Sequence, residues 1–315
     1  MKVLLTGGAG FIGSHFCERL VANDYEVVIL DNFNDYYDPG LKRKNIAALQ
    51  DHPQVTLVEG DLLNGALLDE LFEKHNFQIL VHLAARAGVR PSLQQPLLYE
   101  KVNVQGTMEL LERSKKYQLE KLVIASSSSV YGNNKKVPFS ETDSVDHPIS
   151  PYAATKKACE LIASTYHHLY DLNITMLRFF TVYGPRQRPD MAIHKFTRLI
   201  AQGEEIPMYG DGSTRRDYTY IDDIVDGMYK SMVHCRGYNI YNLGESKTIS
   251  LKDLIELIEL NLGKKAKIKK LPMQPGDVET TYADIKKAKD EIEYNPQIDI
   301  EFGIEKFVEW FKANA

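Results

Sequence analysis

The first half of the chain alternates short apolar runs with segments of helical periodicity. The apolar runs are typical of buried strands and comprise Val3–Thr6, Val27–Leu30, Val55–Val58, Ile79–Leu83, Leu122–Ala125 and, later, Ile174–Phe180. The helical segments are Phe11–Val21, Leu41–Leu49, Ala66–His75, Pro96–Tyr117 and Pro151–Tyr170. Strands that alternate with helices predict βαβ units. The fold class is therefore α/β, with a doubly wound parallel sheet covered by helices on both faces.

The sequence changes character after Gly184-Pro185, where charged and Gly/Pro-rich turns separate shorter elements. We expect a smaller α+β lobe there, with a helix at Ile221–His234 that returns to pack on the first sheet. The 315 residues are about twice the ~150 residues of an average domain. We therefore assign residues 1–180, with a returning segment at about 221–245, to the first domain. Residues 181–220 and 246–315 form the second lobe.

Charge and cysteine content exclude several classes of protein. The net charge is −5, from 38 basic and 43 acidic residues, so no sequence-wide attraction to nucleic acid or to an anionic membrane is expected. No apolar run approaches the ~18 residues of a membrane span, and Val3–Leu5 is too short for a signal peptide. The three cysteines are Cys17, Cys159 and Cys235, without CxxC spacing. We expect no disulfide, no metal site and a cytoplasmic location.

A glycine-rich turn, Thr6–Gly13, follows the first strand and opens the first helix. Glycines there allow a sharp turn and close approach of a pyrophosphate, which the helix N-terminus attracts. Asp31 ends the second strand 18 residues after Gly13, where its carboxylate can accept hydrogen bonds from a ribose and repel a 2′-phosphate. Asp61-Leu62 closes the third strand, within reach of an adenine. These features predict a Rossmann-type domain that binds NAD rather than NADP.

The pair Tyr152 and Lys156 forms a YxxxK pattern on the helix that Ser150 and Pro151 are expected to start. Residues four apart share a helical face, so the phenol and the ammonium point into the same space. A free phenol loses its proton near pH ~10, and a neighbouring Lys⁺ and a cationic nicotinamide favour the phenolate. Tyr152 is thus a candidate general base. The Ser126–Ser129 run ends the fifth strand, where ligands of α/β sheets bind.

Several longer segments resemble a known family. TGGAGFIG, HLAA, SSSSVYG, YAATK and RFFTVYGPRQRPDMA resemble extended short-chain dehydrogenases/reductases over nearly the whole chain. YYDPGLKRKNI, AGVRPS, RRDYTYIDDIVDGM and MQPGDVETTYADIKKA most resemble UDP-glucuronate 4-epimerases. The resemblance implies an NAD-dependent enzyme that inverts C4 of a UDP-sugar through a 4-keto sugar. The favoured reaction converts UDP-glucuronate to UDP-galacturonate. It also implies a homodimer formed through the helices at 96–117 and 151–170.

The same resemblance implies roles for individual residues. Tyr152 removes the O4 proton with help from Ser127, and Lys156 holds the nicotinamide ribose. The implied NAD contacts are Gly7, Gly10, Phe11, Ile12, Gly13, Asp31, Asn32, Asp61, Leu62, Leu83, Ala84, Ala85, Asn103, Tyr152, Lys156 and Phe179. The implied substrate contacts are Arg90, Ser127, Ser128, Ser129, Thr181, Arg188, Tyr209, Arg216 and Asp277. Among these, Arg216 matches the diphosphate contact, Asp277 the uridine ribose contact, and Tyr209 is placed to pack on uracil.

Two positions depart from the patterns of related enzymes. Gln274 stands where several neutral-sugar epimerases carry a second diphosphate arginine. Thr181 stands where many relatives have asparagine, and a hydroxyl there, with Ser128, Ser129 and the arginines Arg90, Arg186 and Arg188, suits an anionic substrate group.

Other functions remain open at the level of the sequence. A UDP-glucose or UDP-N-acetylglucosamine 4-epimerase and a UDP-glucuronate decarboxylase share the chemistry at C4. A 4,6-dehydratase is disfavoured, because Ser128 and Ser129 follow the candidate hydroxyl where relatives of that type carry an acidic pair. A dinucleotide-binding sensor without turnover is expected to have lost Tyr152 or Lys156, and both are present.

Overall fold

A computed structural model describes residues 1–272 and 280–314, and its centre is a seven-stranded sheet. The strands of the whole structure are β1 Lys2–Thr6, β2 Glu26–Asp31, β3 Val55–Glu59, β4 Ile79–His82, β5 Lys121–Ser127, β6 Ile174–Phe179, β7 Thr181–Tyr183, β8 Glu205–Tyr209, β9 Arg215–Arg216, β10 Tyr218–Tyr220, β11 Tyr238–Leu243, β12 Ile249–Ser250 and β13 Lys267–Leu271. The order in the large sheet is β11-β6-β5-β4-β1-β2-β3, and every pairing is parallel. The predicted doubly wound parallel sheet is confirmed.

Helices cover both faces of this sheet. The α-helices are α1 Phe11–Val21, α2 Pro39–Ile46, α3 Gly65–Lys74, α4 Val89–Gln94, α5 Pro96–Tyr99, α6 Gly106–Lys116, α7 Pro151–Tyr170, α8 Ala192–Gln202, α9 Ile221–Val233, α10 Leu251–Leu262, α11 Lys286–Ile292 and α12 Ile300–Asn314. The expected start of α7 is confirmed, since the Ser150 Oγ accepts from the Ala153 N–H at 3.1 Å and Pro151 occupies the first turn.

One predicted helix is interrupted. The segment predicted as a single helix over 96–117 contains a π-helical stretch, Glu100–Gln105, between α5 and α6. The Asn103 side chain on this stretch bonds both the N–H and the C=O of Arg86, at 2.8 and 3.0 Å. The Tyr99 hydroxyl, just before it, donates to the Ala87 carbonyl. These contacts hold the π-helical stretch against the 86–88 loop. The helical periodicity of the sequence contains no sign of them, so it predicts an uninterrupted helix.

Alternate residues of the central strands belong to two different hydrophobic cores. On β1, Val3 and Leu5 belong to the core beneath α1 and α9, whereas Leu4 belongs to the core beneath α3, α6 and α7. Because successive side chains of a strand point to opposite faces, both faces of the sheet must be covered. This accounts for the continuous apolar runs in the sequence.

The remaining strands form small pairs after Thr181. Strand β8 pairs with β13 in parallel, β9 pairs with β12 antiparallel, and β7 pairs with β10 in parallel. Helix α9 packs against α1 and leads to β11, which joins the large sheet beside β6. Within the described residues, no helix has both the length and the apolar character needed to cross a bilayer.

Candidate active site

A cavity of about 600 Å³ opens at the carboxyl ends of the central strands. The chain leaves β1 for β2 and β3 on one side and returns to β4 on the other, which places a crevice between these halves. The predicted site residues that line it are Gly7, Gly10, Phe11, Ile12, Gly13, Asp31, Asn32, Asp61, Leu62, Leu83, Ala84, Ala85, Ser127, Ser128, Ser129, Tyr152, Lys156, Phe179, Thr181 and Arg188. One cavity therefore holds the glycine loop, the YxxxK pair and the serine run.

The glycine loop has the geometry of an anion cradle. Gly7 has φ +72°, and a Cβ there would lie 2.7 Å from the Ala84 nitrogen. A Cβ on Gly13 would lie 2.2 Å from the Gly7 carbonyl oxygen. Among the residues that the structure describes, no side chain caps α1 at Gly10, so the first N–H groups of the helix remain for a ligand. The loop fits the pyrophosphate of a dinucleotide.

Asp31 lies at the end of β2 and is 7% exposed. Its two oxygens accept from the Phe33 N–H at 2.9 Å and the Ala9 N–H at 3.1 Å. Burial raises the pKa of this carboxyl, while the two amides and the nearby Lys42 ammonium act in the opposite direction. These bonds fix the carboxylate beside the glycine loop, where it can meet the adenosine ribose. Further along this edge, Asn32 Nδ2 donates to Asp61 Oδ2 at 2.9 Å.

Tyr152 and Lys156 occupy the first turns of α7. The Lys156 Nζ donates to the carbonyl of Ala125 on β5 at 2.8 Å, and the side chain is buried. The ring of Tyr152 meets the ring of Tyr99 edge-on, with centroids 6.2 Å apart. The ammonium is thus fixed against the sheet beneath the cavity that the phenol lines.

The serine run turns sharply where β5 ends. Ser127 Oγ accepts from the N–H and the hydroxyl of Ser129, at 3.2 and 2.9 Å. A short 3₁₀ segment, Ser128–Tyr131, begins at this turn. Both contacts use the Ser127 oxygen as an acceptor, so neither uses its hydroxyl hydrogen.

Thr181 and Arg188 line the cavity on its other side. Thr181 begins β7 beside Phe179, at the end of β6. The Arg188 guanidinium makes two bonds to the carboxylate of Asp190, both 3.0 Å, and lies 5.4 Å from the centre of the Tyr36 ring.

The structure places four of the expected contact residues outside the cavity lining. The Arg90 guanidinium lies over the ring of Tyr209, 5.0 Å from its centre. Arg216 Nη1 donates to the neighbouring Arg215 carbonyl at 2.8 Å. Asn103 is 1% exposed and bonds Arg86 as well as the Thr155 hydroxyl, so it braces the cavity wall. Asp277, like Gln274, falls outside the described residues.

Arg186 is also placed elsewhere. Its guanidinium binds both carboxylate oxygens of Glu18 on α1, at 2.9 and 2.7 Å. It is not among the residues that line the cavity. The side chain ties the 185–190 loop to the helix that starts at the glycine loop, rather than reaching a substrate group in the cavity.

His82 lies behind the cavity at the end of β4. It is 3% exposed and sits between the hydroxyls of Thr6 and Thr107, at 2.7 and 3.2 Å. Burial, with a smaller contribution from Lys156, lowers its pKa to about 3, so the ring is neutral at physiological pH. Within residues 1–272 and 280–314, no group of His, Cys, Asp and Glu is arranged to hold a metal ion.

Comparison with known proteins decides the family. A family model described as GDP-mannose 4,6 dehydratase matches residues 4–307. The chain belongs to this family. A UDP-glucuronate 4-epimerase of Thermodesulfobacterium geofontis is 45% identical over 312 residues, which cover 99% of this chain and 96% of that protein. The resemblance to the extended short-chain dehydrogenases/reductases and to the UDP-glucuronate 4-epimerases is thereby confirmed.

Solved structures of family relatives show the same fold. The UDP-glucuronic acid 4-epimerase of Bacillus cereus, in complex with UDP-glucuronic acid and NAD, superposes with a TM-score of 0.93 at 36% identity, covering all of both chains. The UDP-glucose 4-epimerase of Thermotoga maritima, with UDP-glucose, gives 0.92 at 33% identity and covers 100% of this chain and 99% of that one. The fold alone therefore does not separate a uronate from a neutral sugar.

Sequence reasoning assigned no role to several residues of this family member that line the cavity. They are Tyr36, Tyr37, Arg86 and Lys101. Lys42 is only 4% exposed, and its Nζ donates to the Asn34 carbonyl at 2.9 Å. The sequence offers Lys42 or Arg43 as a counter-ion for Asp31, and in the structure the Lys42 ammonium acts to lower the pKa of that carboxyl.

Proposed function

We propose that this protein is an NAD-dependent UDP-glucuronate 4-epimerase that converts UDP-glucuronate to UDP-galacturonate. The observation that carries this proposal is the shared cavity, in which Tyr152, Lys156 and Ser127 stand beside a glycine loop that fits a dinucleotide. Identity of 45% to a UDP-glucuronate 4-epimerase over nearly the whole chain supports the uronate as substrate.

The residues present fit NAD. The glycine loop and the uncapped start of α1 would hold the pyrophosphate, Asp31 the adenosine ribose, and Asp61-Leu62 the adenine edge. Lys156 would hold the nicotinamide ribose. When bound, NAD supplies the site with a reversible hydride acceptor for C4.

Side chains of the protein accept and return the proton of the sugar hydroxyl. Tyr152 takes the O4 proton as C4 is oxidised, and Ser127, with its hydroxyl hydrogen unused by Ser129, donates a hydrogen bond to the same oxygen. The fixed Lys156 ammonium lies on the same face of α7 as Tyr152 and lines the same cavity. Inversion requires the 4-keto sugar to turn over in the cavity, so the grip on UDP must lie elsewhere, in a lobe of residues 181–220 and 246–315.

A uronate places a further demand on the site, because a 4-keto uronate is a β-keto acid that tends to lose CO₂. Neutral donors that solvate the carboxylate oppose this loss, which withdraws charge from the carboxylate. Ser128, Ser129 and Thr181 line the cavity and are suited to this role. The Arg188 guanidinium makes two bonds to the carboxylate of Asp190. The negative charge of Asp190 offsets the positive charge that Arg188 presents to the substrate.

We further propose a homodimer in the cytoplasm. Large apolar side chains stand exposed on the predicted interface helices: Leu97 is 82% exposed, Met108 42%, Leu161 57% and Leu169 59%. Such residues on neighbouring helices are expected to be covered by a partner, and a second copy offers the same face. The buried free thiols of Cys17, Cys159 and Cys235 suit a reducing compartment.

The test is to incubate the purified protein with UDP-glucuronate and, separately, with UDP-glucose, and to identify the nucleotide sugars and any CO₂ formed. We expect UDP-galacturonate without CO₂, and little turnover of UDP-glucose. A UDP-pentose with CO₂ would indicate a decarboxylase, and equal turnover of UDP-glucose would indicate a neutral-sugar epimerase. Either result would overturn the proposal.

A further inference from the structure

A buried ion pair lies directly behind the candidate active site. Glu160 and Arg178 are each 1% exposed. The Nε and Nη2 of Arg178 donate to the two carboxylate oxygens of Glu160, both at 2.8 Å. Neither side chain is among those that line the cavity, and the reaction proposed above uses neither.

The ion pair fixes the helix that carries the reactive side chains. Glu160 follows Lys156 by four residues, as Lys156 follows Tyr152, so the three share one face of α7. Because Arg178 belongs to β6, its two bonds to Glu160 join that face of the helix to the sheet. Sliding or rotation of α7 would break both bonds.

The same carboxylate also holds the end of β5. The hydroxyl of Ser126 donates to Glu160 Oε1 at 2.6 Å. Ser126 lies between Ala125, whose carbonyl accepts from Lys156, and Ser127, the candidate hydroxyl of the reaction. Glu160 therefore connects the helix of Tyr152 and Lys156 with the strand segment of Ser127.

The network continues away from Glu160 to the turn that follows the serine run. Arg178 Nη1 donates to the Tyr131 hydroxyl at 3.0 Å, and that hydroxyl donates to Asn242 Oδ1 at 2.7 Å. Asn242 Nδ2 in turn donates to the carbonyls of Phe139 and Asp284, at 2.9 and 3.0 Å. Both ends of the Ser127–Tyr131 segment are thus held by one buried set of bonds.

We propose that Glu160 is a positioning residue for the reaction, which holds α7 in register with the end of β5 so that Tyr152, Lys156 and Ser127 meet one sugar oxygen. A buried ion pair is often replaceable by apolar residues without loss of stability, so a stabilising role does not by itself account for it. Misplacement of reacting groups by about 1 Å can lower turnover by about a hundredfold. The proposal rests on the proposed function, in which these three residues act together.

The experiment compares Ser126→Ala, Ser126→Thr, Glu160→Gln and a control, Ser231→Ala. Ser231 is fully buried and donates to the Gly227 carbonyl at 2.7 Å, so its substitution also removes one buried hydrogen bond, but on α9. For Ser126→Ala we expect kcat to fall roughly tenfold with KM unchanged, because a bond to a charged group is lost. Ser126→Thr keeps a hydroxyl and should retain the wild-type kcat. Glu160→Gln should lower kcat about a hundredfold, and Ser231→Ala should leave kcat unchanged.

The affinity for NAD is measured on the same variants, because Lys156 is proposed to hold the nicotinamide ribose and would be displaced with α7. We expect Ser126→Ala and Glu160→Gln to weaken NAD binding by roughly threefold to tenfold, and Ser231→Ala to leave it unchanged. If Glu160→Gln does not fold, Ser126→Ala decides the outcome. Unchanged kcat and NAD affinity in Ser126→Ala would overturn the proposal, as would a loss of equal size in Ser231→Ala. If the wild-type protein epimerises no UDP-sugar, the proposed function fails, and the NAD affinities still decide the role of Glu160.

Discussion

At the scale of single residues, we expect Asp31 and its neighbours to decide which dinucleotide is accepted. The buried carboxylate lies beside the glycine loop, where we expect the adenosine ribose and any 2′-phosphate to lie, although Lys42 is close enough to offset part of its charge. Arg43 is paired with Glu59 at 3.0 Å and is less available for this. We expect NAD to bind at least tenfold more tightly than NADP, since two like charges at short range cost more than ~1 kcal/mol. Titration of the cofactor-free protein with NAD and, separately, with NADP measures the two affinities.

The control for this prediction is a carboxylate far from the site. Asp31→Ala is expected to reduce the ratio of NAD affinity to NADP affinity. Asp24→Ala, in an exposed turn before β2, should leave this ratio unchanged. Equal or tighter NADP binding by the wild-type protein would show that Asp31 does not select the cofactor.

Tyr152 is the second residue on which the proposed chemistry depends. Tyr152→Phe removes the ionisable oxygen and little volume, so we expect kcat to fall by a factor of about 10² to 10⁴ while NAD binding is retained. Tyr229→Phe, which removes the hydroxyl of a tyrosine on α9, serves as the matched control. Steady-state kinetics with UDP-glucuronate provides the measurement, and near wild-type turnover in Tyr152→Phe would exclude Tyr152 as the base.

At the scale of secondary-structure elements, an acidic cluster joins the small strands to the large sheet. Asp217, between β9 and β10, accepts from the N–H groups of Glu245, Ser246 and Ala283, at 2.8, 3.1 and 3.0 Å. Burial raises the pKa of Asp217 to about 6 despite these bonds. Burial, and then the charge of nearby Asp223, raises the pKa of Glu245 to about 7, and its Oε2 has no hydrogen-bond partner among the described residues.

A dependence of stability on pH follows from Glu245. Its pKa is higher in the folded protein than in the unfolded chain, so the folded state binds its proton at higher pH and loses stability as pH rises from about 4.5 through about 7. Glu245→Gln should therefore stabilise the protein by roughly 1 to 3 kcal/mol at pH 8 and by much less at pH 5. Thermal melts at both pH values, with Glu305→Gln on α12 as the control, measure the difference. Equal shifts in Tm at the two pH values would contradict this interpretation.

The elements differ in how far the sequence predicts them. The apolar runs and the Ser150-Pro151 start predict six of the seven strands of the large sheet and α7, because burial on both faces and helix capping are local properties. The π-helical break at Glu100–Gln105 follows from contacts between Asn103 and Arg86, which periodicity does not contain. The cavity could likewise be predicted at the strand ends. The pairings of Arg186 with Glu18 and of Arg90 with Tyr209 could not, because each joins segments more than 100 residues apart.

At the scale of the whole molecule, the proposed dimer face consists of exposed apolar side chains on α5, α6 and α7, which are Leu97, Met108, Leu161 and Leu169. Leu161 lies on this face and is 57% exposed, whereas Leu260 on α10 is 78% exposed and lies outside it. We expect Leu161→Glu to convert a dimer to a monomer and Leu260→Glu to leave the dimer intact. Light scattering after size-exclusion chromatography gives both masses. A monomeric wild-type protein, or a Leu161→Glu variant that remains a dimer, would contradict the proposed interface.

The proposed epimerisation depends on oxidation at C4 followed by return of the same hydrogen to the opposite face. The most direct measurement uses UDP-glucuronate that carries deuterium at C4, with the product analysed by mass spectrometry and proton NMR. We expect UDP-galacturonate that retains the deuterium at C4 in ordinary water, since a hydrogen removed and returned within the cavity does not exchange with solvent. UDP-galacturonate that has lost the deuterium to water would contradict it.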